Sequence, residues 1–156
     1  MKVGIISDTH DRQGVVAKAA DIFGEHKVDY ILHAGDIVSA DTAKTLAEVQ
    51  GAKFIGVFGN CDREKPFLCS LVGSLGGEIH GRVFRGEIGG RQIFMTHKPS
   101  TMGEAARSNN FDLVVYGHTH MRFMQRVGKT LVVNPGTSTV VVVKLDDMSA
   151  RQLRLR

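Results

Sequence analysis

Ser7-Asp8-Thr9-His10-Asp11 decides how this chain is read. Lys2-Val3-Gly4-Ile5-Ile6 precedes it, a short apolar run that predicts a buried strand. Gly14 and an amphipathic helix pattern follow. A carboxylate and an imidazole two residues apart, at the end of a buried strand, are costly to place for packing alone. Buried charge is unfavourable unless it is paired or binds a metal.

The same event recurs along the chain. Tyr30-Ile31-Leu32-His33-Ala34-Gly35 leads into Asp36, and Lys53-Phe54-Ile55-Gly56-Val57-Phe58-Gly59 into Asn60-Cys61-Asp62. Arg91-Gln92-Ile93-Phe94-Met95-Thr96 leads into His97, and Asp112-Leu113-Val114-Val115-Tyr116-Gly117 into His118-Thr119-His120. In α/β sheets, ligands bind outside the carboxyl ends of the strands. Asp8, His10, Asp36, Asn60, His97, His118 and His120 therefore read as one site. Gly35, Gly59 and Gly117 stand just before donors, where glycine permits tight turns and close backbone approach.

The spacing around these runs outlines a fold. Val15, Val16, Ala19, Ile22 and Phe23 recur at helical spacing after the first strand, so residues 2–34 form a βαβ unit with a right-handed crossover. Ser39 or Asp41 caps a second helix that Gly51 ends. Pro66, Gly73, Gly76 and Gly77 make residues 62–78 read as loop with short structure. From Glu78 the pattern turns to β: a hairpin of 78–88 and 92–96 around Gly89-Gly90, then strands at 112–117, 121–127, 129–133, 138–145 and 151–155. A helix over 101–108, capped by Ser100 or Thr101, interrupts them. Val140–Val143 lacks alternation, as in a strand covered on both faces. The simplest architecture is α/β, a four-layer α/β/β/α sandwich of two mixed sheets flanked by helices, in one domain over 1–156.

Bulk properties narrow the classes. A net charge of +4 favours anionic partners weakly and does not by itself indicate nucleic-acid binding. Cys61 and Cys69 match neither a zinc spacing nor a disulfide framework, which fits a reducing cytoplasm. No apolar run is long enough for a signal peptide or a membrane span. Seven donors are too many for one zinc and suit two ions that share a carboxylate. Two carboxylates, one amide and four imidazoles carry −2, so two divalent ions and a bridging hydroxide bring the site to about +1. Oxygen and nitrogen donors without thiolate favour Mn, Fe, Ni, Co or Zn.

Asp8-Thr9-His10, Gly35-Asp36, Gly59-Asn60, His97 and Gly117-His118-Thr119-His120, in this order and at strand ends, resemble the signature of the calcineurin-like metallophosphoesterases. Asn134-Pro135-Gly136 adds to the likeness, and the short length and Gly59-Asn60-Cys61-Asp62 resemble the small YfcE-like phosphodiesterase branch. The resemblance implies that Asp8, His10, Asp36 and His120 hold one metal, and that Asp36, Asn60, His97 and His118 hold the other. It implies a small phosphodiester substrate attacked by a hydroxide bridging the two ions. Alternate residues of an extended His-Thr-His turn would serve different ions. Two departures stand out. Cys61 replaces the His that many members carry after the ligand Asn to protonate the leaving group, and a thiol is a poor substitute. Lys98-Pro99 follows His97 where a Gly-His often stands.

Other residues carry weaker expectations. His33 reads equally as support for Asp36 or as a core histidine; His26 and His80 read as surface. Asp11 and Asp62 are candidates for supporting hydrogen bonds or for turns. Arg63, with Asn60, is a candidate for binding substrate phosphate, though Arg63 reads also as solvated surface, and Lys98 reads as a phosphate contact or as solvated. Arg151, Arg154 and Arg156, alternating with Leu153 and Leu155, read as the wet face of an edge strand, and Cys69 as a small buried hydrophobe. Two rivals share the fold class. One is a scaffold acting through protein contacts, which could lose metal ligands that are all present here. The other is a nuclease, for which the chain shows no extra domain and no clear basic face. The oligomeric state stays open, including a homo-oligomer.

Overall fold

Apolar side chains at every second strand position and every third or fourth helix position are shared among three cores. The computed structural model describes residues 1–155. In chain order its elements are β1 (Lys2–Ile6), α1 (Gln13–Glu25), β2 (Tyr30–His33), α2 (Ala40–Ala47), β3 (Lys53–Gly56), α3 (Lys65–Ser74), β4 (Glu78–Ile79) and β5 (Val83–Ile88). Then come β6 (Arg91–Thr96), α4 (Pro99–Arg107), β7 (Leu113–Val115), β8 (Phe123–Val127), β9 (Thr130–Asn134), β10 (Thr139–Lys144) and β11 (Ser149–Arg154).

The first sheet has the order β11-β10-β1-β2-β3-β4, and the second β5-β6-β7-β9-β8. Both are mixed: β1 to β4 run parallel, as do β6, β7 and β9, and antiparallel strands complete each sheet. Val3, Ile5, Leu32, Val141 and Val143 face Ile93, Met95, Leu113, Val115 and Val133 between the sheets. Ile6, Ile31, Val140 and Val142 point the other way, into a core closed by Val16, Phe23, Leu46, Leu68 and Val72 of α1, α2 and α3. On the far side of the second sheet, Phe94, Val114 and Val132 pack on Ala105 and Ala106 of α4. This is the expected α/β/β/α sandwich, and β10 is buried on both faces as its unbroken valines require. β11 is the expected edge strand, with Arg151 and Arg154 exposed. Arg156 lies outside the described residues.

Several local expectations give way. Residues 62–78, read as loop with short structure, contain the ten-residue α3. Pro66 sits in its first turn, where a missing N–H costs nothing, and burial of Leu68 and Val72 supplies the stability that propensity lacks. The hairpin forms around Gly89-Gly90 as expected, but its first strand is shorter: β4 pairs parallel with β3 in the first sheet, and the chain crosses through His80–Arg82 to start β5 in the second. α2 takes Ser39 as its cap, whose Oγ accepts from the Thr42 N–H at 3.2 Å, but the helix stops at Ala47, before Gly51. α4 begins at Pro99 with Lys98 as an N-cap that makes no side-chain bond, so Ser100 and Thr101 lie inside the helix. Cys69 is exposed rather than buried, because α3 turns only one narrow face inward.

Candidate metal centre

Every strand-end motif arrives at the carboxyl edge of a parallel strand: Asp8 beyond β1, Asp36 beyond β2, Asn60 beyond β3, His97 beyond β6 and His118 beyond β7. Packing the two sheets face to face brings these edges together. Five of the seven donors have backbones in the left-handed region: Asp8 (φ 55°), His10 (φ 43°), Asp36 (φ 58°), His118 (φ 70°) and His120 (φ 62°). Such residues cost of order 1–3 kcal/mol each and persist where the surroundings over-determine them, typically at functional sites. The His-Thr-His turn is therefore tightly coiled, not extended. Asn134 holds it, its Nδ2 donating to the Gly117 carbonyl at 3.1 Å and the Thr119 Oγ1 at 3.0 Å. Close approach requires glycine beside two of the carboxylates. A Cβ at Gly59 would overlap Asp36 Oδ1, and one at Gly117 would overlap Ser7 Oγ.

Two groups of donors form. Asp8, His10, Asp36 and His120 each place one ligand atom within 4.8 Å of the others. Alongside, Asn60 Oδ1 lies 3.0 Å from His97 Nε2 and 3.1 Å from His118 Nδ1. Asp36 Oδ2 stands between the groups, 3.3 Å from His10 Nε2 and 3.4 Å from His97 Nε2. All seven predicted donors are thus gathered in one place. Arg63 is not: it is exposed and makes no hydrogen bond to the cluster. Asp11 is also exposed, and its carboxylate accepts from Gln13 Nε2, outside the donor cluster.

The hydrogen bonds leave lone pairs pointing inward. His97 donates Nδ1–H to the Ala34 carbonyl at 2.8 Å, so its neutral ring turns a bare Nε2 toward three oxygens. A proton or a cation relieves that repulsion. The His97 pKa is accordingly raised, since burial works to lower it but the bonds to Asp36 and Ala34 prevail. Asp36 lies below the usual carboxylate range: burial pushes it up, and bonds from His97 and from the Cys61 N–H at 2.8 Å more than offset this. Asp8 is fully buried. Its Oδ2 accepts from Ser7 Oγ at 2.6 Å and from the His118 N–H at 3.0 Å, while its Oδ1 has no hydrogen-bond partner. An orphaned buried carboxylate oxygen facing three imidazoles is the arrangement a divalent cation would satisfy. The donor set fits a metal.

Around this core sit supports that sequence reading placed only partly. Asp62 accepts from three backbone N–H groups, those of Asp36 (2.9 Å), Val38 (2.7 Å) and Gly59 (2.7 Å), and so ties the β2 loop to the β3 loop. His33 is buried between Gly35, whose N–H donates to Nδ1 at 3.2 Å, and Thr9, whose Oγ1 accepts from Nε2 at 3.1 Å and passes a bond on to the Asp36 carbonyl. Burial, with repulsion from His97, lowers its pKa to about 3 and keeps it neutral. Arg12, unremarked in the sequence, binds the carbonyls of Asp8, Thr9 and Thr137. Ser7 opens the Ser7–Asp11 stretch and Arg12 directly follows it, and that position is their only signal in the sequence. The Cys61 thiol is exposed and its pKa is pushed up, by desolvation and by the Asp36 carboxylate, further from service as a proton donor.

Comparison with known proteins places this geometry. A family model described as the calcineurin-like phosphoesterase superfamily domain matches residues 1–148. Phosphodiesterase MJ0936 of Methanocaldococcus jannaschii is 37% identical over 139 residues, covering 87% of this chain and 83% of the relative. Phosphodiesterase YfcE of Escherichia coli is 25% identical over 154 residues, covering 90% and 80%. A solved structure of an archaeal phosphodiesterase superposes with a TM-score of 0.91 at 32% identity, over 99% of this chain and 100% of that one.

Proposed function

The chain belongs to the calcineurin-like phosphoesterase superfamily and is a metal-dependent phosphoesterase; from that premise we propose a two-ion phosphodiesterase acting on small phosphodiesters. Asp8, His10, Asp36 and His120 would hold one ion, and Asp36, Asn60, His97 and His118 the other. Asp36 bridges them. The observation that carries this reading is the position of Asp36 Oδ2 between two donor groups, one of which contains the orphaned Asp8 Oδ1. Two divalent ions held there, from Mn, Ni, Fe, Co or Zn, would supply an activated water and charge neutralisation at the phosphoryl oxygens.

The protein's own residues set the rest. Asn60 is a neutral ligand, and two carboxylates keep the loaded site short of negative charge, so it attracts an anionic diester and releases the product. Cys61 provides no proton to the leaving oxygen, which then departs as an anion or takes a proton from solvent. Good leaving groups are favoured. The scaffold rival is weakened because no donor is missing. The two cysteines are free, which supports a reducing cytoplasm, and no helix among the described residues is long and apolar enough to cross a membrane. We take residues 1–156 as one functional domain.

The test is elemental analysis after metal loading, with a panel of diesters, monoesters and nucleotides assayed with Mn, Ni, Zn and Mg. Two bound ions per chain and chelator-sensitive hydrolysis of diesters are expected. One ion or none under replete conditions, or activity that survives chelation, overturns the reading.

A further inference from the structure

Beside the metal centre, on the side of Asn60 and His97, lies a cleft of about 300 Å³. Its wall includes Lys65, Arg82 and Lys98, with Phe58 and Thr101, and no Asp or Glu. The three cations come from separate parts of the fold. Lys65 opens α3, Arg82 lies between β4 and β5, and Lys98 lies between β6 and α4. Among the described residues none of them is in an ion pair, whereas Lys53 and Arg91 elsewhere on the surface face Glu78 and Asp112. Two features hold the wall in place. The Lys65 ammonium rests 5.5 Å over the Phe58 ring, and the Arg82 carbonyl accepts from Oγ1 of Thr96, the last residue of the strand that leads into His97.

Like charges gathered on one concave wall raise the local potential and are relieved by an anion. A phosphate monoester carries about −1.5 to −2 charges and three acceptor oxygens, which suits two ammonium groups, a guanidinium fork and a hydroxyl. The volume is at the small end of ligand sites, fit for a short arm and not for a polymer. We propose that this cleft binds a terminal phosphate carried on one ester arm of the substrate while the scissile diester lies at the metal centre. The proposal rests on the phosphodiesterase reading and adds the substrate class: short phosphodiesters with one phosphorylated arm.

Two pairs of synthetic diesters test it. In the first pair the leaving group is nitrophenol, and the retained arm is ethylene glycol ending in a methoxy group, which has no hydroxyl to attack the diester, or in phosphate. The phosphate-ended substrate should show a kcat/KM higher by about 10-fold or more, with the ratio falling toward one in K65Q/R82Q/K98Q. The second pair has methyl in place of nitrophenyl, which departs too slowly to react during a calorimetric titration of the metal-loaded protein. Its phosphate-ended member should bind more tightly by a similar factor, less so at high salt. Lys65→Arg with Lys98→Arg keeps the charge and should keep the preference; metal content checks that each variant retains its centre. Should the triple variant not fold, the exposed single changes Lys65→Gln and Lys98→Gln should each lose part of the ratio. Equal turnover of the nitrophenyl pair, or equal affinity for the methyl pair, overturns the subsite and leaves phosphodiester hydrolysis standing. Tighter binding of the phosphate-ended methyl diester without turnover of either nitrophenyl substrate sustains the subsite and overturns the hydrolytic reading. A preference that survives in the triple variant overturns the assignment to these cations.

Discussion

The two sheets bring unlike material to the same centre. Loops of the first sheet carry both carboxylates, the amide and one imidazole: Asp8, Asp36, Asn60 and His10. Loops of the second carry only imidazoles: His97, His118 and His120. The carboxylates are at the floor, with side chains 0% and 2% exposed, and His120 at the mouth is 52% exposed. Each sheet also orients the other's donors. Ala34 of the first receives the His97 Nδ1–H, and the His118 N–H of the second donates to Asp8. Negative charge is therefore placed by the parallel α/β half, where strand-end loops bury it against backbone N–H groups. The β-rich half contributes only imidazole donors, whose positions depend on sheet packing. The centre can exist only once the two sheets have met.

This contrast yields graded expectations. On the two-ion proposal Asp36→Asn would remove charge from both ions at once and should have the largest effect. Activity should fall by orders of magnitude and metal content below two ions per chain, as read by elemental analysis and nitrophenyl diester hydrolysis. Retention of both ions with near-full activity would remove Asp36 as the bridge. Changes in the second sheet should be more selective: His120→Ala and His118→Ala should each lose about one ion, and a different one, while the fold persists. Loss of both ions from either variant would mean that the two donor groups are not separable.

Asp62→Asn tests the supports of the first sheet without touching a donor. An amide cannot accept from three N–H groups as a carboxylate does, so activity should drop roughly 10–100-fold. Urea midpoints should fall as well, because a buried N–H left unpaired costs about 1–3 kcal/mol. An unchanged midpoint and rate would show the triple hydrogen bond to be dispensable. With nitrophenyl substrates, Cys61→His should change the least. Departure of nitrophenolate needs no proton. With alkyl esters the same change should recover part of the roughly 10²–10⁴-fold that a positioned acid contributes. A plot of log rate against leaving-group pKa for both proteins reads the difference. A shallow slope already present with Cys61 would mean that another group donates the proton.

Much of this was legible in the residues. A buried strand shows in any apolar run, and a donor placed just past its end is visible because both lie within a few residues of each other. Asp8-Thr9-His10 and Gly117-His118-Thr119-His120 are local statements of that kind. So is Val140–Val143, whose unbroken apolarity demanded cover on both faces. Failures came where stability is not local. The pattern of Pro66 and Gly73 argued against a helix that Leu68 and Val72 secure by packing under the first sheet. Glu78 to Ile88 looks like one strand, yet it serves two sheets.

The sequence by itself determined the seven donors, the layered fold class and the absence of a His beside Asn60. Each of these is written within a short stretch of chain, where strand and helix periodicity and residue chemistry suffice. Only the tertiary structure decided that Asp36 Oδ2 lies between two donor groups, that Asp62 is a backbone clamp and not merely a turn residue, and that Lys65, Arg82 and Lys98 share a wall. The last three stand 17 and 16 residues apart in the chain. Their proximity is created by helix α3 docking beside one sheet while β5 and β6 belong to the other, and no local pattern encodes that meeting.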